Sequence, residues 1–250
     1  MNCLIIVNYR SEDDLYRWAS NCDKAKVDYI LVNNDITENI TEPKFPNAVK
    51  IISLSDNPGY AAGVNAGLKV AISLGYSKFA VINPDIEFDC NNLTKFFDVI
   101  EDRIIVSPLV IGKDGVEQIP PRMTTGGMYP FQAIFEKFKK SWPSFNGCFW
   151  GATLETVLSI GLLDERWFLF GEEREYSYRA IWLGVDCRVN RSITAIHRTS
   201  SSLHASGVIE NKQVMIENNR FEFMKRAHKF DLFSLDFTLY KFYSLLKKLM

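Results

Sequence analysis

Along the first half of the chain, apolar residues fall in short runs, each closed by polar residues and followed by a longer amphipathic stretch. Cys3–Val7, Tyr29–Val32, Val49–Leu54, Lys78–Ile82 and Ile104–Leu109 are short and rich in Ile, Val and Leu, which predicts strands buried on both faces. Between them the period changes. Ser11 opens a helix whose apolar face is Leu15, Trp18, Ala19 and Cys22, with Asp14 in a capping-box-like position. Further helices are predicted over Ala61–Leu74 and near Leu93–Ile100. Strands alternating with helices predict an α/β protein, a Rossmann-like, mostly parallel sheet with right-handed crossovers.

The ends of the strands carry the candidate chemistry. Phe79-Ala80-Val81-Ile82 runs directly into Asn83-Pro84-Asp85, a buried strand meeting a stiff polar turn. Asn8, Asn33 and Asp85 each follow a strand and so share one rim of the sheet, where open α/β sheets bind ligands. A carboxylate there suits a hard divalent cation that could in turn hold a diphosphate, although Asn-Pro-Asp by itself also reads as an ordinary turn. Asp56, Asn57, Gly59 and Tyr60 approach a helix N-terminus, a place for an anion. Gly59, Gly63 and Gly67 recur every fourth residue, which is neither a dinucleotide fingerprint nor a P-loop, and predict a helix lying close on the sheet.

Residues Gly112–Phe145 hold several prolines and glycines with little periodicity, a long connection with one short helix around Phe131–Lys139. A helix over Leu154–Ile160 precedes the acidic cluster Phe168-Leu169-Phe170-Gly171-Glu172-Glu173. Carboxylates opening a helix behind an aromatic run suit a general base, and equally suit the positive end of a helix dipole. Glu175 and Arg179 form an i,i+4 pair. Ile193–Ile196 reads as a strand ending in His197, a metal ligand or a satisfied surface histidine. Ile209–Lys229 reads as a helix, and the aromatic tail Leu232–Met250 suits a membrane interface, a cap on its own domain or a dimer contact.

Composition narrows the class. The 250 residues are 47% apolar and 24% charged, enough for one sizeable globular core. A formal net charge of −1 argues against a nucleic-acid binder. Five scattered cysteines without a CxxC pair argue against a disulfide framework or structural zinc, and predict buried free thiols. No secretory signal or membrane span is predicted, so the expected location is cytoplasmic, with or without contact to a membrane surface.

Several stretches in order, Ile6-Val7-Asn8-Tyr9-Arg10-Ser11, Asp56–Gly67, Val81–Asp85, Ile160–Glu165, Phe168–Glu173, Arg179 and His197, match one pattern. The chain resembles family 2 glycosyltransferases of the GT-A fold, especially rhamnosyltransferase-like members that build bacterial surface polysaccharides such as O-antigen and capsule. The resemblance covers about the first 200 residues, with Asn219-Arg220 fitting a weaker downstream pattern. It implies a GT-A domain with a nucleotide-sugar half (1–110), an acceptor and catalytic half (111–205) and a C-terminal helical extension (206–250). It further implies a dTDP-, UDP- or GDP-linked sugar donor, a glycan or polyprenyl-linked acceptor, and Mg²⁺ or Mn²⁺. Asn8 and Asn33 would face the nucleobase, while Tyr9, Asn57, Gly59, Gly63, Asn65 and Asn83 would line the donor site. Asp85 would hold the metal with His197 as a second ligand, and Glu173, preceded by Glu172, would be the catalytic base of an inverting displacement. Three positions depart from the family: Asn33 replaces a common Asp, Asn-Pro-Asp replaces Asp-x-Asp, and the base is Glu rather than Asp. A sugar nucleotidyltransferase and a non-catalytic sugar-nucleotide-binding or scaffolding protein are the rival readings. The first normally has a Gly-rich basic first loop, which Asn8-Tyr9-Arg10-Ser11 is not.

Overall fold

A computed structural model describes residues 1–198, apart from 36, 38, 39, 90, 121, 122 and 125–140. The helices expected around Phe131–Lys139 and over Ile209–Lys229, the aromatic tail and the C-terminal extension lie outside the described residues.

The strands are β1 (Asn2–Asn8), β2 (Asp28–Asn33), β3 (Lys50–Ser53), β4 (Lys78–Ile82), β5 (Ile86–Glu87), β6 (Ile104–Gly112), β7 (Met123–Thr124), β8 (Ser141–Trp142), β9 (Phe149–Thr153) and β10 (Asp186–His197). The α-helices are α1 (Glu12–Ala25), α2 (Tyr60–Ser73), α3 (Asn91–Asp98), α4 (Leu154–Ile160) and α5 (Glu172–Trp182). Eight strands form one sheet in the order β3-β2-β1-β4-β9-β6-β10-β5, and β7 pairs with β8 separately. Strands β3, β2, β1 and β4 are parallel; β9 runs antiparallel between β4 and β6, and β5 runs antiparallel to β10.

Alternation along the strands divides the core in two. Leu4 and Ile6 of β1 join Leu15, Trp18, Phe96 and Phe97 beneath α1 and α3. Cys3, Ile5 and Val7 join Val64, Leu68, Trp150 and Tyr176 beneath α2, α4 and α5. Both faces of β1 are therefore dry, as its unbroken apolar run requires. Helix α2 lies close on the sheet: a Cβ on Gly63 would stand 2.7 Å from Val7 Cγ1, and one on Gly67 2.4 Å from Ile5 Cγ2. Cys3, Cys22, Cys148 and Cys187 are buried free thiols, and burial pushes Cys3 and Cys187 up to about 12.

Three local expectations change. Ser11 occupies the N-cap of α1 but makes no side-chain capping bond; its hydroxyl donates to Tyr9 O at 3.3 Å. Asp14 instead takes Arg17, one turn on, at 3.3 Å and also the distant Arg198, a partner that a local capping pattern does not anticipate. Strand β9 lies in a stretch before α4 to which the sequence assigns no element, its five buried residues carrying no polar alternation. Strand β10 begins seven residues before Ile193, its polar positions being tolerated near the sheet edge and across a register shift between Asn190 and Thr194.

Candidate active site

A cavity of about 200 Å³ opens at the carboxyl ends of the parallel strands. Its wall includes Val7, Asn8, Tyr9 and Ser11 from the β1–α1 connection and Asn34 after β2. Asn57, Gly59 and Tyr60 come from the approach to α2, Asn83, Pro84 and Asp85 from the turn after β4, and Phe168 and Leu169 from the segment before α5. This is the rim at which strand polarity delivers loop residues from neighbouring βα units. Three connections around it hold non-glycine residues in the left-handed region, Arg10 (φ 55°), Asn57 (φ 40°) and Phe170 (φ 64°), the kind of backbone strain that gathers at functional sites.

The approach to α2 and the segment before α5 meet at Gly59. Its φ is +97°, and a Cβ there would fall 2.3 Å from Phe168 O, so only glycine lets the Phe168 backbone cross the start of α2. Tyr60 N donates to Phe168 O at 2.9 Å, and Tyr60 Oη donates to Gly147 O at 2.5 Å. Asn34 Nδ2 donates to Gly59 O at 3.0 Å, while Asn34 Oδ1 is buried without a hydrogen-bond partner.

Of the residues expected around a donor, Asn8, Tyr9, Asn57, Gly59 and Asn83 line the cavity, and Asn33, Gly63 and Asn65 do not. Asn33 lies beneath it, its Oδ1 accepting from Asn8 Nδ2 at 3.0 Å and its Nδ2 donating to Asp35 O at 2.7 Å. Gly63 is a packing position against Val7 and Asn34. Asn65 fastens α2 to the segment before α5: Nδ2 reaches Leu163 O at 2.8 Å and Glu165 Oε1 at 2.9 Å, and Oδ1 accepts from Leu163 N at 2.9 Å. Arg179 grips the same segment from α5, through Ile160 O and Leu162 O at 2.8 Å each, and pairs with Glu175 at 2.7 Å. Glu175 is thus a structural partner, as its helical spacing predicts.

Tyr60 was expected at the anion-type approach to α2, whereas Asn34, Ser11 and Phe168 are wall residues that sequence reasoning did not select for the donor site. Asn34 carried a signal in its place beside Asn33 after β2, and Phe168 in opening the aromatic run; Ser11 carried none beyond its cap position.

Asp85 is buried, at 7% relative exposure, and its Oδ2 lies 3.3 Å from His197 Nε2. His197 Nδ1 is 2.8 Å from Gln118 Oε1, an acceptor to which Nδ1 donates, and Nε2 faces the carboxylate. Burial, the largest influence, lowers the His197 pKa; its contacts with Asp85 and Cys148 outweigh burial and push it up to about 10. With its pKa raised, the ring beside the Asp85 carboxylate is favoured doubly protonated; a divalent cation would replace the Nε2 proton, taking the carboxylate oxygen and the imidazole held through Nδ1 as one face and leaving its other positions to water and phosphate oxygens. Among the described residues no group of three or more His, Cys, Asp and Glu is gathered.

The adjacent acids at the start of α5 differ. Glu172 is 5% exposed, with Oε2 lacking a partner; burial, and then the neighbouring Glu173, push its pKa well above the usual carboxylate range. Burial, and then Glu172, likewise push the Tyr60 phenol well up. Glu173 is half-buried, accepts Gly171 N at 3.0 Å on Oε2 and lies beside Gly147. A chain of contacts leads from it to the turn after β4: Gly147 precedes Cys148, whose carbonyl accepts Asn83 N at 2.9 Å.

The fold is the GT-A-like α/β architecture expected from the sequence. No protein-family model matches the chain. Over 203 residues it is 25% identical to the low-salt glycan biosynthesis hexosyltransferase Agl10 of Haloferax volcanii, a match that takes in 78% of this chain and 66% of that protein, just under two thirds of its length. Among solved structures it is similar to S. aureus TarS 1–349 (TM-score 0.52, 14% identity, 92% of this chain and 72% of that one). It is also similar to the inositol-1-phosphate CTP transferase of T. maritima (TM-score 0.50, 11% identity, 88% and 96%). The sequence match supports the glycosyltransferase superfamily, and the structural likenesses carry the fold alone. Among the described residues no helix is long and apolar enough to cross a membrane.

Proposed function

We propose that this protein is an inverting glycosyltransferase of the family 2 type that moves a hexose from a nucleoside-diphosphate donor to a hydroxyl of a glycan acceptor. The observation that carries this reading is the rim cavity itself, where Asn8, Asn57, Asn83 and Asp85 line one space and the segment leading to Glu173 closes it. The hexosyltransferase relative agrees with it. A rhamnosyl donor and a polyprenyl-linked acceptor are the finer forms of the proposal.

In this scheme Asn8, Asn34 and Asn57 orient the donor through amide hydrogen bonds, and Phe168, 44% exposed at the rim, offers an apolar face to the incoming sugars. Glu173 takes the proton of the acceptor hydroxyl, whose oxygen attacks the anomeric carbon as the bond to the diphosphate oxygen breaks. Glu172, buried and favoured in its neutral form, is unsuited to that task. Asp85 and His197 would hold Mg²⁺ or Mn²⁺, which supplies a Lewis acid for the charge growing on the departing diphosphate. Inversion needs one base and no covalent nucleophile.

The test is calorimetric titration of UDP, dTDP, GDP and CDP, with and without Mn²⁺, into the wild type and Asp85→Ala. One nucleotide bound in a metal-dependent way and weakened in the variant is the expected result. Binding that ignores both Mn²⁺ and the substitution would overturn the metal assignment; absence of any binding would overturn the transferase reading.

A further inference from the structure

We infer that Arg17 and Trp18 are positioning residues that aim the Asp85 carboxylate by holding the backbone carbonyls on either side of it. The inference rests on the metal-assisted transferase reading above. Arg17 and Trp18 of helix α1 are more than sixty positions from the turn in sequence, yet they bracket Asp85. The Arg17 guanidinium spans it, with Nη2 donating to Pro84 O at 2.6 Å and Nη1 to Ile86 O at 2.8 Å. Trp18 Nε1 lies between the same two oxygens, 3.1 Å from each.

The turn needs such a grip. Strand β4 ends at Ile82, and Pro84 has no N–H to donate. From within, the turn is closed by Ile86 N to Asn83 O at 3.2 Å. The carbonyls of Pro84 and Ile86 point towards α1, and an unpaired buried carbonyl is costly. Trp18 is wholly buried and would anchor α1 by packing alone, so packing gives no reason for its indole N–H and a guanidinium to converge on these two oxygens. Burial and the like charge of Arg198 both work against the Arg17 charge, which makes a cation here an expensive choice for mere filling.

The same cluster also registers the second candidate ligand. Asp14 takes Arg17 at 3.3 Å and also takes Arg198, the residue after His197. Arg198 N donates to Asp85 O at 3.0 Å, and Arg198 Nε pairs with Glu87 at 3.0 Å. Asp85 and His197 thus reach their 3.3 Å separation on two strand ends fastened to one helix. A lysine would keep the charge at position 17 but lacks the planar fork that spans two carbonyls.

The probe is Mn²⁺ together with UDP, dTDP, GDP or CDP, whichever the wild type binds tightest, titrated calorimetrically into wild type, Arg17→Lys, Arg17→Met and Trp18→Phe. Each titration is repeated in EDTA, with thermal unfolding in parallel. Both Arg17 variants should lose about tenfold or more in the Mn²⁺-dependent binding, the range of outer-shell changes around metal ligands, and keep their EDTA binding. Trp18→Phe keeps the ring and removes only the donor, so it carries the test if the Arg17 variants do not fold; its loss should be smaller and again confined to Mn²⁺. Full rescue by lysine, equal losses with and without Mn²⁺, or unchanged Mn²⁺ dependence in the folded variants would each overturn the inference while leaving the transferase reading intact. A wild type that binds none of these nucleotides overturns both.

Discussion

Glu172 and Glu173 are neighbours of the same chemical type, and the first turn of α5 sends one inward and leaves the other half open. As the proposed general base, Glu173 would account for roughly 10²–10⁴-fold in turnover, so Glu173→Gln should lose about that much while nucleotide binding stays at the wild-type level. Steady-state turnover beside calorimetry checks this, and near-normal turnover would move the base elsewhere. Glu172 makes a different prediction. Its folded-state pKa is raised, so its contribution to stability is fully present below the unfolded value of about 4.3 and is lost as pH rises towards the folded one. Glu172→Gln removes that loss. The stability of the variant relative to wild type should therefore grow above about pH 4.3, by at most about 1.4 kcal/mol per pH unit, the slope for one proton. Denaturant titrations from acid to neutral pH read it directly; a flat difference would show that the buried proton sits elsewhere. The acid pair was legible as a pattern of residue types, but the inward or outward fate of each member depends on how α5 is rotated against Tyr60, Trp150 and Gly147.

At the scale of elements, two side chains hold the Ile160–Glu165 segment between helices, Asn65 from α2 and Arg179 from α5. Asn65 makes both its bonds to Leu163 inside the protein, so Asn65→Ala leaves a buried N–H and C=O to find new partners. The expected cost is about 1–3 kcal/mol of stability. Because Asn65 does not line the cavity, nucleotide affinity should change little at temperatures where the variant is folded. A large loss of affinity with stability intact would return Asn65 to the donor site that the family resemblance implies. Its position in the motif reads the same either way, since a helix places residues on faces and only the neighbouring loop decides what each face meets. Strand β9 makes the same point: Phe149–Thr153 pairs on both edges with residues more than forty positions away, and nothing local in the run states it.

For the whole molecule, the cavity draws on five separate stretches between Val7 and Leu169. A ligand that joins them stabilises the folded state by mass action, about 2.7 kcal/mol at a hundred times its dissociation constant. For a domain of this size that corresponds to roughly 5–11 °C in melting temperature. The nucleoside diphosphate selected by calorimetry, with Mn²⁺, should raise the melting temperature within that range, and Asp85→Ala should lose most of the rise. An equal rise in the variant would place the ligand away from the β4 turn.

Period and polarity along the chain were sufficient for the parallel β1–β4 half, its helices, the glycine face of α2 and the rim carrying Asn8 and Asp85. These depend on hydrophobic alternation, stiff Pro and flexible Gly, properties each residue carries with it. Tertiary structure alone decided the rest. It inserted β9 into the sheet, seated Asn34 in the cavity wall above Asn33, turned Asn65 to packing, and brought Arg17, Trp18 and Arg198 onto the Asp85 turn. Each of those outcomes is a hydrogen bond or close contact between distant stretches, and such partners are chosen by how whole elements dock, which no local window of sequence contains.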